Sequence, residues 1–133
     1  MKILLSIKPE FSNKIFDGDK LFEFRKQVPK KRFDKVLVYE SSPTQHIVGW
    51  FRVGRIIKGH PDDVWQTCKQ DGGIDKNRYY QYCKGNQQIY AFEIMETHRF
   101  ASPINPFKLV DNFTPPQNFA YLETSSCLLN NVR

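Results

Sequence analysis

The sequence predicts an α+β domain: a mixed, curled sheet or small barrel of about five to seven strands, with two to three short helices at its edge. Three observations predict it. Most of the chain reads as runs rich in β-branched and aromatic residues, which suit pleated, half-buried surfaces. The elements follow the order β-α-β-β-β-α-α-β-β, without the regular strand-helix alternation of a doubly wound sheet. Finally, 133 residues suffice for one ordinary hydrophobic core and not for two. A single domain is expected over residues 1–122, with 123–133 as a C-terminal tail.

Taken in order, residues 3–7, ILLSI, form a buried strand. Pro9 then suits the first position of a helix, where its missing N–H would have had no partner. Phe11, Ile15 and Phe16 recur at helical spacing, and Gly18 can take the left-handed conformation that closes the helix. Asp19-Lys20 turns the chain into a strand starting near residue 21. The connection 26–34, KQVPKKRFD, is basic, broken by Pro29 and expected to be exposed. Residues 35–40, KVLVYE, and 46–57, HIVGWFRVGRII, are strands. Within the second, Trp50 and Phe51 point in opposite directions, so one is expected in the core and the other in a cleft or at a partner.

From Pro61 the pattern becomes helical. Val64, Trp65 and Cys68 share one face, as do Tyr79, Tyr82 and Cys83, with Gly72-Gly73 breaking the two apart. Trp65 is read as the anchor of its helix. His60-Pro61-Asp62-Asp63 marks the first helix start, with acids at its positive end. Residues 88–98 return to strand alternation, and Pro103, Pro106, Pro115 and Pro116 then punctuate a loop-rich end with at most one or two short strands.

Charge narrows the function. The net charge is +6, and residues 1–60 hold 13 Lys/Arg against 6 Asp/Glu, whereas 61–133 hold 7 against 8. A basic excess confined to one half favours a polyanionic partner, although ordinary solubility charge explains the same count. Three cysteines, Cys68, Cys83 and Cys127, and three histidines show no zinc spacing, so neither a metal nor a cofactor is expected. There is no phosphate-binding or dinucleotide loop, and no Ser-His-Asp or Cys-His arrangement can be argued from spacing. The first apolar run is too short for a signal peptide or a membrane span, so a reduced, cytoplasmic protein is expected.

The segment GDKLFEFR, residues 18–25, concentrates the chemistry. On a strand, Phe22 and Phe24 face one side and Glu23 and Arg25 the other. Lys20 sits in the preceding turn, where its stem can bring the ammonium round to the charged side. Two readings stay open. In one, Glu23 and Arg25 are a solvated pair worth about 0.2–1 kcal/mol. In the other, Arg25 offers its planar fork to a phosphate or base edge, Lys20 adds a point charge, and Glu23 orients both or accepts from an amino group.

SIKPEFSNKIFDGDKLFEFRK, residues 6–26, resembles the signature of the ASCH domain family, whose G-x-K-x-x-E-x-R is matched by Gly18, Lys20, Glu23 and Arg25. GGIDKNRYYQYCKG at 72–85, IYAFEI at 89–94 and PPQNFAYL at 115–122 resemble further family segments. The resemblance implies a PUA-like β-barrel with a basic cleft beside the first helix that accepts RNA or a modified nucleobase. It places Lys20, Glu23 and Arg25 in that cleft, with Lys8 and Ser41-Ser42 as weaker additions. It also implies a role in RNA processing or transcription.

Some relatives are amidohydrolases of N-acetylated cytidine, and nucleases are known in the family. An enzymatic role would fall to Lys20 and Glu23. The amidohydrolases carry a threonine three residues after the lysine, where this chain has Glu23. That carboxylate supplies no alcohol nucleophile and would raise the lysine pKa, which a general base needs lowered.

Around the cleft, Lys26, Lys30, Lys31 and Arg32, with Lys35, form a candidate track for a nucleic-acid backbone, though short basic runs commonly just solvate a loop. Tyr79, Tyr80 and Tyr82 either stack bases or build core. His98 is expected to be structural or exposed. A third reading is a protein-interaction module using the barrel edge and the tail segment TSSCLLNNVR.

Overall fold

A computed structural model describes residues 1–123 and 126–129. The chain order is β1 (Lys2–Ile7), α1 (Pro9–Asp17), β2 (Phe22–Arg25), β3 (Lys35–Glu40), β4 (His46–Gly59), α2 (Pro61–Cys68), α3 (Lys76–Cys83), β5 (Ile89–Ile104), α4 (Pro106–Leu109) and β6 (Ala120–Leu122). Apart from the one-turn α4, this is the predicted order.

The six strands form one mixed sheet in the order β2-β5-β4-β3-β1-β6, with β1 and β3 parallel and every other pair antiparallel. The sheet curls without closing into a barrel: β2 and β6 are its two edges. Curvature comes from β4 and β5, which run 14 and 16 residues with register shifts at Ile47/Gly49, Arg52/Val53 and Val53/Ile56. Such shifts bend a strand and increase its twist. One of them explains why β5 outruns the predicted 88–98. Gly49 pairs with Arg99 and Ile47 with Ile104, so Pro103 lies in the bulged excursion, where its missing N–H breaks no ladder bond.

Alternation sorts the apolar side chains into three groups. Ile3, Leu5, Ile7, Val36, Val38, Phe51, Phe92 and Ile94 fill the concave face. Helix α1 lies across this face, contributing Ile15 to the core and packing Phe11 and Phe16 against it. Gly49 leaves room for the Phe16 ring, since a Cβ there would stand 2.7 Å from it. Leu4, Leu37, Tyr39, Ile47, Trp50, Phe100 and Leu122 form a second group on the convex face. The third joins Phe22 and Phe24 to α2 and α3 through Val64, Trp65, Cys68, Tyr79 and Cys83.

The helix ends follow their local chemistry. Gly18, at φ 86°, caps α1 by donating to the Ile15 carbonyl. The His60 ring accepts from the Asp62 N–H at the start of α2, and the Asp75 carboxylate accepts from the Arg78 N–H at the start of α3.

Two expectations need correction. Trp50 and Phe51 are both buried, because the convex face carries its own core and the Lys35 ammonium sits 4.1 Å above the Trp50 ring. The connection 26–34 is not simply exposed: Pro29 is buried, and Val28 and Phe33 pack against the concave core. The expected tail falls partly outside the described residues. Within it, Leu128 is buried in the convex group.

Candidate functional site

Helix α1, strand β2 and helix α3 meet around a cleft of about 480 Å³. Its walls carry Lys8 and Phe11 from α1 and its cap, Glu23, Phe24 and Arg25 from β2, and Arg78, Gln81 and Tyr82 from α3, with Lys20, Ile74 and the end of β1 between them. The three predicted head groups share this concavity. The Lys20 ammonium stands 3.8 Å from a Glu23 oxygen, and the Arg25 guanidinium donates to the other Glu23 oxygen at 3.2 Å.

Backbone register explains the convergence. Glu23 pairs with Phe92, which belongs to the concave core, so the Glu23 carboxylate enters the inside of the curled sheet. It is 6% exposed, and Lys20 2%. The picture of a solvated strand pair is therefore overturned, since α2 and α3 pack on the Phe22/Phe24 face and the Glu23 side turns into the curled sheet at the cleft wall. Both faces of β2 are buried, so a carboxylate there needs cationic partners on each side.

Lys20 is fixed by more than its ion pair. Its ammonium donates to the Gly72 carbonyl at 2.6 Å and lies 5.3 and 5.0 Å from the ring centroids of Phe11 and Phe24. Gly73, at φ 66°, packs so closely that an added Cβ would stand 2.6 Å from the Lys20 Cβ. The Gly72-Gly73 break is thus the clasp of the lysine. Burial pushes the Lys20 pKa below the ordinary lysine value; Glu23 opposes the shift and the Lys14 charge adds to it. Glu23 raises the lysine pKa as expected, and desolvation outweighs it, so the net shift is downward.

Arg25 has a second duty. Strand β6 pairs β1 only over Lys2–Leu4, leaving the rest of that edge without a strand neighbour. The Arg25 guanidinium reaches across this seam, donating to the Asn118 carbonyl at 2.8 Å and making a long contact, 3.5 Å, to the Ser6 carbonyl. The curled sheet is bridged there by a side chain.

The weaker candidates divide. Lys8 lines the cleft; Lys26 lines a neighbouring cavity, its ammonium 4.7 Å from the Tyr82 centroid. Ser41 and Ser42 do not line either: their turn is tied to the end of β1 by the Ser41 N–H donating to the Ile7 carbonyl. Lys30, Lys31 and Arg32 are exposed on the loop after β2, with Lys31 over the Tyr121 ring at 5.2 Å. Tyr79 is core, donating to the Pro61 carbonyl at 2.7 Å, whereas Tyr82 faces the cleft with its pKa pushed up to about 12 by burial.

Arg78, Gln81 and Phe11 escaped the sequence reading. Arg78 stacks 4.8 Å above Phe11, and one of its terminal nitrogens donates to both oxygens of Glu10, whose carboxyl it holds below the usual carboxylate range. The sole signal was Arg78 lying one residue ahead of the tyrosine series, which names no partner. Among the described residues no cluster of His, Cys, Asp and Glu could hold a metal ion, and no helix is long and apolar enough to cross a membrane.

Residues 5–103 match the sequence model of the ASCH domain. The chain belongs to the ASCH domain family. Its similarity to an ASCH domain-containing ribonuclease of Zymomonas mobilis is 27% identity over 123 residues, covering 90% of this chain and 82% of that one. A second relative, the large ribosomal subunit protein uL22 of Ureaplasma parvum, is 26% identical over 91% of this chain, which spans 39% of that protein's length. Among solved structures, the ASCH protein of Zymomonas mobilis superposes with a TM-score of 0.90 at 22% identity, covering 99% of this chain and 96% of that one. The ASCH fold expected from the G-x-K-x-x-E-x-R segment is therefore the fold observed, with its sheet left open between the β2 and β6 edges.

Proposed function

We propose that this ASCH domain binds RNA or a modified nucleoside in the cleft between α1, β2 and α3, as a cytoplasmic protein acting in RNA processing or transcription. The observation that carries the reading is the Lys20–Glu23–Arg25 chain on the cleft wall, its lysine and carboxylate buried and its guanidinium half-buried. A charged triplet of this kind is costly to bury and contributes little net stability, so its presence at a cleft is best explained by a ligand. Arg25 and Lys8 supply cationic donors for phosphate, and Tyr82 supplies an aromatic ring at the cleft for a base. The Glu23 carboxylate can accept from an exocyclic amino group. The ribonuclease relative supports an RNA ligand.

Titration with single-stranded RNA at two salt concentrations tests this. Lys20→Ala and Arg25→Ala should each weaken binding about tenfold or more, and Arg25→Ala should lower the slope of log affinity against log salt by about 0.7 if it contacts one phosphate. Native affinity in both variants removes the cleft from the account.

The buried lysine favours a second reading, a small ribonuclease or amidohydrolase. An amine whose pKa is lowered by burial can accept the proton of an attacking hydroxyl or water, with Glu23 3.8 Å away to hold it. Turnover of RNA or of acylated cytidine should then fall at least about a hundredfold in Lys20→Ala. Turnover equal in the variant and the native chain sinks this reading.

A further inference from the structure

Arg25 is the wall between two cavities. Beyond it, away from Lys20, lies a second cavity of about 260 Å³ that shares Ser6, Arg25 and Tyr82 with the cleft. Its other walls include Lys26, Gln27, Gln117 and Phe119. The volume falls just below the roughly 300–1,000 Å³ of sites that take a whole drug-sized ligand, and suits one ring or one sugar. Two aromatic rings flank it, Phe119 and Tyr82, the latter with the exposed Lys26 ammonium 4.7 Å from its centroid, and two side-chain amides can each donate and accept. Lys26 adds a positive charge at its rim and is exposed.

The guanidinium between the cavities is not used up. Its contacts to Glu23, Ser6 and Asn118 occupy three of the five N–H donors of an arginine. A planar cation with spare donors, set between two spaces sized for rings, matches a phosphodiester joining two nucleosides.

We propose that the second cavity receives the nucleotide adjacent to the one held in the cleft, with the linking phosphate over Arg25. The ligand is then an oligonucleotide and not a free nucleoside. This rests on reading the cleft as a nucleotide site, and it selects RNA from the two ligands that reading allows. The single-stranded form is required, because bases stacked and paired in a duplex cannot enter separate pockets.

The test uses the full chain and a Gln27→Ala/Gln117→Ala double variant. Both glutamines are exposed, so the substitutions leave the packing untouched. The probes are a labelled single-stranded RNA octamer of mixed sequence and each of the four nucleoside 5′-monophosphates as competitors. The native chain should bind the octamer about tenfold or more tighter than any monophosphate, and the double variant should weaken the octamer about fivefold by loss of two polar contacts. Its competition by monophosphates should not change. An octamer affinity untouched by the double substitution overturns the second subsite and leaves the cleft standing. Equal weakening of octamer and monophosphates also overturns it, since the glutamines would then act on the cleft. Failure of the native chain to bind the octamer overturns both.

Discussion

Glu23→Gln is expected to destabilise the protein by about 3–5 kcal/mol, the usual consequence of removing one partner from a buried ion pair. The carboxylate lies between two cations, 3.8 Å from the Lys20 ammonium and 3.2 Å from the Arg25 guanidinium. Without it, two positive charges share one poorly hydrated space. Urea unfolding at neutral pH measures the loss.

Its pH dependence has a definite sign. Burial already lowers the folded-state pKa of Lys20 below its unfolded value, so between the two values the unfolded chain binds a proton that the folded chain does not. Stability therefore gains from Lys20 as pH rises through that window. Glu23 is the largest influence holding the pKa up, and removing it widens the window downward. The gap between Glu23→Gln and the native protein should be widest below both folded-state pKa values of Lys20 and shrink as pH rises through the window between them, where the variant's lysine is already neutral and the native one is still losing its proton. A gap independent of pH would mean that the carboxylate does not act through Lys20.

The second large effect is expected at Gly73→Ala. A left-handed alanine costs about 1–2 kcal/mol. The new methyl would also stand 2.6 and 2.7 Å from the Lys20 Cβ and Cγ, an overpacking that costs about 1–3 kcal/mol more. Gly18→Ala is the control. That residue is also left-handed, at φ 86°, but has no heavy atom within 4 Å of an added Cβ, so it should show the backbone cost alone. Thermal unfolding separates the two variants. RNA affinity should fall only in Gly73→Ala, because only there is the lysine pushed off the Gly72 carbonyl. Equal affinities would show that the clasp does not position Lys20.

Much of the fold was legible because its signals are local. Pro9 and Gly18 bracket α1, Pro61 opens α2, and Lys35–Glu40 reads as a strand in isolation. What was not legible depends on what covers each face. FEFR alternates cleanly, yet alternation says only that two faces differ; it cannot say that α2 and α3 cover one while the other turns into the curled sheet at a cleft. The same blindness hid the burial of both Trp50 and Phe51. For the site, the Lys20, Glu23 and Arg25 grouping was readable from spacing and family resemblance. Gly72 and Arg78, some fifty residues on, were not, since contacts across α3 leave no periodic trace in the sequence.

The guanidinium that spans the seam of the sheet carries a thermodynamic implication. Its hold on the Asn118 carbonyl fixes the plane in which its spare N–H groups can meet a ligand, so the two are linked, and linkage is reciprocal. An occupant that pulls the fork inward slackens the strap at 117–119; one that leaves it in place tightens the strap. Mutational tolerance at position 25, which is half-buried, should accordingly be narrower than at the exposed basic positions of the chain, since lysine offers a point where this joint needs a plane.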